Sequence, residues 1–489
     1  MASTKKSTSA RVAAGIGAAA IATLMVLGGA FPASAAGPNL DADERGSITI
    51  HKFAEPTETA QLGNDGLPLA AGDLSGLTPL GGVGFQAVLV PGTDLSTTAG
   101  WERAAALEAD VNRIETAQAL TDGVAPARSG VTGAIGDPDS GQLELLDLAL
   151  GVYLVTETGS GGNSIAITSE PFLVSVPMAN PNTAEWMYDV HVYPKNSMTT
   201  ITKDVDESAA RGLGSAVSWT ISVDVPEVGQ NALTEFRIQD EMDDRLEFVS
   251  ASLAVSQAGT TPTAPRLAVD LAFGTDYRVS DGPNYEIEFL APGLTKLAAL
   301  NDGVIDIVVT TRVIGLGDGT IENTATLIVN GNEFDATDVT GWASLEILKH
   351  HIDNAAAVLG GAQFQVFASE ADAASGANAI AVSGSTTFTS DATTGIASAP
   401  GLRAGTYWVV ETVAPVGYVL DSEPHEVTLV AGDVDATVEL SIGNSPVPAY
   451  ELPITGGTGQ AAFMIGGAGL LAAALGFALF RRRKADAEV

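Results

Sequence analysis

The sequence predicts an all-β protein made of three tandem β-sandwich domains. Short segments in which apolar and polar residues alternate, such as residues 47–53 and 217–223, recur between turns rich in glycine, aspartate and proline. Alternation with a period of two is typical of strands that bury one face. About 420 residues lie between the two terminal segments, and this length fits three domains of ~100–200 residues each.

One stretch departs from the strand pattern. Residues 101–120 place their apolar side chains at helical spacing. We expect a single helix here, inserted between strands so that it covers part of a sheet.

The N-terminus has the features of a secretory signal peptide. Basic residues precede an apolar stretch at residues 12–30, and residues 33–35, Ala-Ser-Ala, form a cleavage site of the small-x-small type. Residues 1–35 are therefore expected to be removed and to take no part in the fold.

The C-terminus carries a signal in three parts. An apolar run at residues 461–480 is followed by four basic residues at 481–484. Twenty apolar residues in a helix span a bilayer core, and the basic cluster would stay in the cytoplasm, so we expect a transmembrane helix at 461–480. The third part is the pentapeptide LPITG ahead of the run, which consists of Leu452, Pro453, Ile454, Thr455 and Gly456. The order of the three parts resembles the sortase sorting signal of Gram-positive surface proteins, and the alternative is a plain membrane anchor.

Charge and cysteine content exclude several classes of protein. The chain has 59 acidic and 23 basic residues, a net charge of −36, which repels nucleic acid and anionic lipid. Its 45% of hydrophobic residues argues against disorder. Because the chain has no cysteine, it can form neither disulfides nor a cysteine-derived internal thioester, and any covalent cross-link must use other chemistry.

An internal repeat divides the chain. A strand that bears a lysine, an LGGxxFQ segment and a YxVxET segment occur in this order near both ends, with the LGGxxFQ segments at residues 80–86 and 359–365. The middle stretch lacks this signature and is expected to form a different kind of sandwich. The predicted domains are 36–196, 197–341 and 342–450, followed by the sorting signal at 451–489.

Two further segments are similar to those of one protein family. Residues 186–196, WMYDVHVYPKN, match the pattern WxxxVxVYPKN and resemble the pilin motif of sortase-assembled pili of Gram-positive bacteria. Residues 407–418, YWVVETVAPVGY, resemble the E-box of the same shaft pilins. With these two motifs and the signals at its termini, the chain resembles a major fimbrial shaft subunit. The resemblance implies immunoglobulin-like domains of the CnaB, CnaA-like and CnaB types, in that order.

The resemblance also implies how subunits are joined. A pilin-specific sortase would cleave after Thr455, hold the chain as a thioester and transfer it to the ε-amine of Lys195 on an identical subunit. Lysine suits this role because its stem is flexible and its pKa is tunable. Pro194, which has no backbone donor, is expected to present Lys195 outside a regular ladder; without the motif, Lys195 would be an ordinary surface lysine. The further partners implied are tip and base pilins, a housekeeping sortase and the peptidoglycan of the cell wall.

Internal cross-links require a different arrangement. Burial favours the neutral forms of both a lysine and a carboxylic acid, so a buried amine could attack an asparagine amide while the acid transfers protons and ammonia leaves. Some members of the family lack such a bond in the first domain. Alternatively, each acid is a buried, hydrogen-bonded carboxyl group and each lysine an exposed strand residue. The sets implied by the resemblance are Lys349 and Asn444 with Glu411, Lys203 and Asn323 with Asp240, and Lys52 and Asn196 with Glu157.

Other functions have little support in the sequence. The five histidines show no zinc-binding spacing, and the acidic turns lack the spacing of a calcium loop, so no metal, cofactor or enzymatic activity is expected. The competing interpretation is a monomeric wall-anchored adhesin that binds a host or bacterial surface ligand. The pilin motif favours the polymer, because a monomeric adhesin has no use for a donor lysine.

Overall fold

The computed structural model describes residues 40–56, 65–70, 72–183, 185–229, 231–261, 263–281, 284–434, 438–448 and 459–485. The signal peptide predicted at 1–35 and the LPITG pentapeptide at 452–456 lie outside these residues. The described chain is mostly β, as the sequence predicts.

The described residues up to 200 contain one sandwich. Its strands pair in the orders β11-β1-β5, β2-β12-β7 and β4-β3-β6-β8, with β10-β9 as a separate two-stranded sheet, and apolar side chains from the three larger sheets pack into one core. The strands β2 and β12, near the two ends of this segment, are parallel neighbours. The strands are β1 (Gly46–His51), β2 (Phe53–Ala54), β3 (Gly84–Leu89), β4 (Arg128–Val131), β5 (Gln142–Leu148), β6 (Gly151–Gly159), β7 (Ile165–Ile167), β8 (Phe172–Val176), β9 (Met178–Ala179), β10 (Trp186–Met187), β11 (Asp189–Val192) and β12 (Lys195–Met198).

The helical insertion consists of two helices, so the prediction of one helix at residues 101–120 is wrong. Helix α1 spans Thr98–Glu108 and α2 spans Arg113–Thr121. The break lies at Asp110, whose carboxylate accepts hydrogen bonds from a backbone amide and a threonine hydroxyl at the start of α2, as capping side chains do. Both helices pack on β6 through a small apolar cluster.

Residues 201–342 contain a second sandwich. One sheet has the order β13-β14-β20-β16-β17 and the other the order β18-β19-β15-β21-β22. Every second residue of β14 is buried, as expected for a strand with one face on a core. The elements are β13 (Ile201–Asp206), β14 (Ala216–Asp224), β15 (Phe236–Glu241), β16 (Leu246–Gln257), β17 (Leu267–Ala268), β18 (Tyr277–Asp281), β19 (Asn284–Phe289), α3 (Ala291–Leu297), β20 (Val304–Val313), β21 (Thr320–Val329) and β22 (Asn332–His351).

The C-terminal part uses the end of β22 as its first strand. Strands β23 and β29 pair with this end, and β25-β24-β27-β28 form a second sheet. Strands β22 and β29 are parallel neighbours, as β2 and β12 are. The elements are β23 (Asn354–Val358), β24 (Gln363–Phe367), α4 (Glu370–Ser375), β25 (Phe388–Thr389), β26 (Ile396–Arg403), β27 (Gly405–Val413), β28 (His425–Leu429) and β29 (Val438–Asn444).

The described residues group into two compact units. The first unit holds two large hydrophobic cores, one built mainly from each of its sandwiches, and the core of the second also includes Ala166 and Ile167 of β7. The predicted division into three domains is finer than this grouping and stays a prediction. The first unit contains the described residues of Met1–Ala343, Gly401–Ala404 and Val430–Asp435, and the second those of Ser344–Pro400, Gly405–Leu429 and Ala436–Val489.

The last element is helix α5, Gly459–Ala485. It contains the apolar run for which the sequence predicts a transmembrane helix. Among the residues that the structure describes, no helix is long and apolar enough to cross a membrane.

Candidate functional site

Three lysines are buried in the apolar cores. The exposed fraction is 0% for Lys52, 6% for Lys203 and 0% for Lys349. Lysine is almost never buried to this degree without a partner, because removing its ammonium group from water is costly. Each of the three has a carboxyl group beside its amine. These are the lysine–acid pairs that the sequence analysis names.

The first site brings Lys52, Glu157 and Asn196 together. Lys52 Nζ donates a hydrogen bond to Asn196 Oδ1 at 2.5 Å and lies 3.0 Å from Glu157 Oε2. Asn196 Nδ2 donates to Glu157 Oε1 at 2.7 Å. Lys52 lies between β1 and β2, Glu157 in β6 and Asn196 in β12. The site therefore connects the first and last strands of this sandwich with a strand of the opposite sheet.

The C-terminal site repeats this arrangement. Lys349 Nζ donates to Asn444 Oδ1 and lies 3.0 Å from Glu411 Oε1. Asn444 Nδ2 donates to both oxygens of Glu411, at 2.8 and 3.0 Å. In the parallel pair of β22 and β29, Lys349 is opposite Ile442. Asn444 lies two residues further along β29 and hence on the same face as Ile442.

The middle site differs in its acid and in its strands. Lys203 Nζ donates to Asp240 Oδ1 at 2.5 Å. Lys203 lies on the edge strand β13 of one sheet, whereas Asp240 and Asn323 lie on the neighbouring strands β15 and β21 of the other. Asp240 is opposite Ala325, which places Asn323 one diagonal step away on the same face.

The Asn323 amide of this site makes no well-formed hydrogen bond to a described residue, although it lies near enough to Asp240 to oppose the rise in the pKa of that carboxyl group. It is fully buried, and among the described residues neither its Nδ2 nor its Oδ1 makes a hydrogen bond; the same holds for Asp240 Oδ2. A buried polar group without a partner costs about 1–3 kcal/mol. The burial of Asn323 therefore does not stabilise the unlinked fold, and another role must account for it.

An aromatic ring lies beside each lysine. The three Nζ atoms are 5.5–5.6 Å from the ring centroids of Phe85, Trp219 and Phe364, in the order of the sites along the chain. Phe85 is the cross-strand partner of Glu157, and Phe364 is that of Glu411. The LGGxxFQ and YxVxET segments thus occur together because they place a ring and an acid opposite one another, around one lysine. The repeat pattern alone does not predict a role for these rings.

Burial shifts the three lysines and Asp240 toward their neutral forms. Loss of water lowers the pKa of the Lys52 amine to about 8, against the opposing effect of Glu157. It also lowers the pKa values of Lys203 and Lys349. In the middle site burial raises the pKa of the Asp240 carboxyl group, although the nearby Lys203 opposes this rise. A neutral amine and a protonated acid are the forms that amide formation requires.

Lys195 lies next to the first site. It begins β12 and pairs with Phe53 in a parallel ladder. The prediction that Pro194 holds it outside a ladder is wrong, because the Pro194 carbonyl accepts a hydrogen bond from the Phe53 amide and the pairing continues past the proline. The Lys195 side chain is 18% exposed, and its Nζ lies 3.8 Å from Glu55 Oε1. Its predicted partner Thr455 lies outside the described residues.

Ser169 is a member of the first site that sequence reasoning missed. Its Oγ accepts a hydrogen bond from Lys52 Nζ at 3.1 Å and donates one to Glu157 Oε2 at 2.9 Å. Its backbone amide donates to Asn196 Oδ1 at 2.6 Å. The residue lies in the loop between β7 and β8, where serine is common, so no signal in the sequence could have found it.

Comparisons with known proteins match this architecture. Residues 43–197 match the model of the Gram-positive pilin subunit D1, N-terminal domain. Residues 343–445 match the prealbumin-like fold domain, and residues 449–486 match the LPXTG cell wall anchor motif. The chain is 30% identical to fimbrial subunit type 2 of Actinomyces naeslundii, over 96% of this chain and 97% of that protein. It is 28% identical to fimbrial subunit type 1 of Actinomyces viscosus, over 96% and 98% of the two chains.

Solved structures share the fold. The full-length major pilin SpaD from Corynebacterium diphtheriae matches with a TM-score of 0.61 and 24% identity, over 84% of this chain and 99% of that one. The major pilin SpaA from the same species matches with a TM-score of 0.55 and 22% identity, over 82% and 100% of the two chains. These identities establish the fold alone, whereas the fimbrial subunits match along almost the whole sequence. The chain therefore belongs to the family of fimbrial subunits, or pilins, of Gram-positive bacteria that carry a cell wall anchor motif.

Proposed function

We propose that this chain is the shaft subunit of a fimbria, polymerised by a sortase and fastened to the cell wall. The observation that carries the proposal is the burial of three lysines, each held against a carboxyl group in the core of a β-sandwich. Cross-links at these sites would let a chain without cysteines bear load along a polymer. Family membership and the anchor motif support the same location, on the surface of a Gram-positive cell.

Each cluster supports one internal amide bond. The neutral lysine amine attacks Cγ of the asparagine, the bond from Cγ to Nδ2 breaks, and Nδ2 leaves as ammonia. The protonated acid delivers its proton to the leaving nitrogen and takes one from the attacking nitrogen, so it ends in the form in which it began. The chain acts on itself once at each site and turns over no substrate. The proposed bonds are Lys52–Asn196, Lys203–Asn323 and Lys349–Asn444, with Glu157, Asp240 and Glu411 as their acids.

The unpaired groups of the middle site support its bond. In the unlinked chain neither the Asn323 amide nor one oxygen of Asp240 makes a hydrogen bond to a described residue. Joining Lys203 to Asn323 brings the new amide against the carboxyl group of Asp240, so both can be paired. Bond formation would thus remove a cost of burial in addition to constraining the chain.

Polymerisation uses a second set of groups. A pilin-specific sortase attacks the Thr455 carbonyl with its cysteine, the bond from Thr455 to Gly456 breaks, and the chain is held as a thioester. The amine of Lys195 on another subunit then displaces the thiolate and forms an amide. Glu55 lies 3.8 Å from this amine and is placed to hold the ammonium group and to take its proton. Because the Lys195 side chain is largely covered, it must swing outward to reach the thioester.

The same proposal includes three domains, at residues 36–196, 197–341 and 342–450. The two cores of the first unit support the division near residue 196. The parallel pairing of first and last strands around a lysine, an acid and an asparagine recurs in the first and third parts, which supports a common CnaB-like type for both. Tip and base pilins, and a housekeeping sortase that transfers the polymer to peptidoglycan, complete the proposed assembly.

An immunoblot of cell-wall extracts from the native host tests the polymer. We expect a ladder of high-mass species in the wild type and its loss in Lys195→Arg, which keeps the charge but cannot form the amide. Lys296→Arg is the matched control, because Lys296 is a surface lysine that pairs with Asp276, and its ladder should be unchanged. A single band of monomer mass in the wild type would contradict the proposal and favour the adhesin.

A further inference from the structure

We propose that Ser169 is a catalytic residue of the first cross-linking site: its backbone amide stabilises the oxygen of the reacting asparagine, and its hydroxyl joins the attacking amine to the acid. The inference rests on the proposed Lys52–Asn196 bond and adds to it a residue that the family signatures do not contain.

The backbone amide of Ser169 is aimed at the atom that gains charge. When Lys52 attacks Cγ of Asn196, the carbonyl oxygen Oδ1 becomes an oxyanion. The Ser169 amide already donates to this oxygen at 2.6 Å in the unlinked chain. A donor fixed before the reaction stabilises the developing charge without reorganisation, and loss of one such donor typically slows a reaction by about 10²–10³-fold.

The hydroxyl of Ser169 bridges the amine and the acid. It accepts a hydrogen bond from Lys52 Nζ and donates one to Glu157 Oε2. The other oxygen of Glu157 accepts a hydrogen bond from Asn196 Nδ2, the nitrogen that leaves. One side of the carboxyl group thus faces the nitrogen that loses a proton, and the other side faces the nitrogen that gains one. Ser169 holds the acid in the orientation that this transfer needs.

The C-terminal site, the third along the chain, has different hydrogen bonds around its acid and its asparagine. There the backbone amide of Asp421 donates to Glu411 Oε2 at 2.9 Å, and within the described residues Lys349 is the donor to Asn444 Oδ1. The contacts of Ser169 are therefore a property of the first site and not of every buried lysine in this chain. Its replacement should affect one bond of the three.

The test follows the three bonds separately in newly synthesised chains. Samples from cell-free translation of the full chain are quenched over time, digested and analysed by mass spectrometry for each linked peptide. In Ser169→Ala we expect the Lys52–Asn196 bond to form roughly 10–100-fold more slowly, as expected for the loss of a hydrogen bond to charged groups. Ser169→Thr, which retains a hydroxyl, should restore most of the rate. The other two bonds should form at wild-type rates.

Ser197→Ala is the matched control. Ser197 follows Asn196 directly and is buried, and its hydroxyl has no hydrogen-bond partner among the described residues. This variant should form all three bonds at wild-type rates, because the deleted hydroxyl contacts none of the reacting groups.

A pH profile separates catalysis from a general defect in folding. The Ser169 hydroxyl accepts a hydrogen bond from the amine and so favours its charged form. Loss of the hydroxyl should lower the pH at which the rate of bond formation reaches half its maximum, and it should also lower the maximal rate. Equal slowing of all three bonds, or a wild-type rate and profile in Ser169→Ala, would overturn the role of the Ser169 hydroxyl. Ser169→Pro removes the backbone donor as well, and a Lys52–Asn196 bond that forms no more slowly in it than in Ser169→Ala would overturn the role of the amide. Absence of the Lys52–Asn196 bond from the wild-type chain would overturn the inference together with the proposed bond.

Discussion

Replacing Glu411 by glutamine is expected to leave the third site unlinked. Glutamine keeps the size of the side chain but cannot accept and return a proton, so Lys349 and Asn444 stay separate. Glu411 is 1% exposed and touches both reacting groups, which leaves little room for water to replace it. The wild-type chain should therefore be lighter than its sequence mass by three ammonia molecules, and Glu411→Gln by two.

The loss of stability follows from the loop that the bond closes. Lys349 and Asn444 are 95 residues apart, and a cross-link of this span restricts the unfolded chain by about 4.7 kcal/mol on the entropic estimate used for disulfides. For a domain of ~100 residues, each kcal/mol moves the midpoint of thermal unfolding by about 4–8 °C. The midpoint of the C-terminal unit should thus fall by roughly 20–40 °C.

The assay combines intact mass, peptide mapping and calorimetry of residues 36–450. Glu411→Gln also leaves the Lys349 amine buried without its carboxylate, which is destabilising by itself. The double variant Lys349→Met/Glu411→Gln removes both groups, and it should still unfold far below the wild type if the bond carries the stability. Glu426→Gln, at an exposed position of β28, is the control. A linked Lys349–Asn444 peptide in Glu411→Gln, or a wild-type mass equal to the sequence mass, would refute the reasoning.

In Asp240→Asn the peptides of Lys203 and Asn323 should be recovered separately, because the acid that transfers the proton is gone; a linked peptide would contradict its role. Deletion from Gly456 onward removes the proposed sortase leaving group and the matched anchor motif, so blots of cell fractions should find the protein in the medium, and wall-linked protein would argue against the sorting signal. The rate of Lys52–Asn196 bond formation should rise as the pH rises through about 8 and then level off, because only the neutral amine attacks and burial lowers the pKa of Lys52 to about 8; a rate without pH dependence would exclude this step. In Asn196→Ala, which cannot be linked, stability should increase between pH of about 8 and the ordinary lysine value of 10.5, because the unfolded lysine still binds a proton that the folded one has lost.

The pairs at the first and third sites could be predicted because an internal repeat carries their lysines and acids, and the resemblance to shaft pilins implies that these residues meet. A buried lysine at the first strands, and a buried phenylalanine and a glutamate on two paired strands, recur at both ends of the chain. The role of the phenylalanine could not be predicted, because it depends on register: Phe85 faces Glu157 only when β3 and β6 pair as they do. Register follows from the whole sheet and not from the local pattern.

Interactions of single residues explain the remaining differences between the structure and what the sequence predicts. The apolar spacing of residues 101–120 cannot reveal that the Asp110 side chain bonds the backbone ahead of it and divides the helix. Ser169 lies in a loop, whose path is fixed by the strands that it joins. Pro194 lacks a donor but keeps its carbonyl, so it interrupts the ladder less than the sequence suggests.

The positions of the proposed bonds along the chain suit a polymer under tension. Neighbouring subunits would pull on Lys195 and Thr455, so load would pass through the chain between them. The Lys203–Asn323 and Lys349–Asn444 bonds lie on this path. Each bond would carry the tensile load directly between its two residues, so the chain between them could not be extended.

The Lys52–Asn196 bond lies beside this path and has a different consequence. Asn196 is the direct neighbour of Lys195, so the bond fixes the backbone at the residue through which one subunit is joined to the next. Its loss should weaken the presentation of Lys195 more than the resistance of the shaft to force. Blots of Glu157→Gln and Glu411→Gln cells separate the two roles: we expect a shortened ladder in the first and a ladder of normal length, but greater sensitivity to heat and protease, in the second. Ladders of equal length in both variants would show that the first bond has no part in subunit joining.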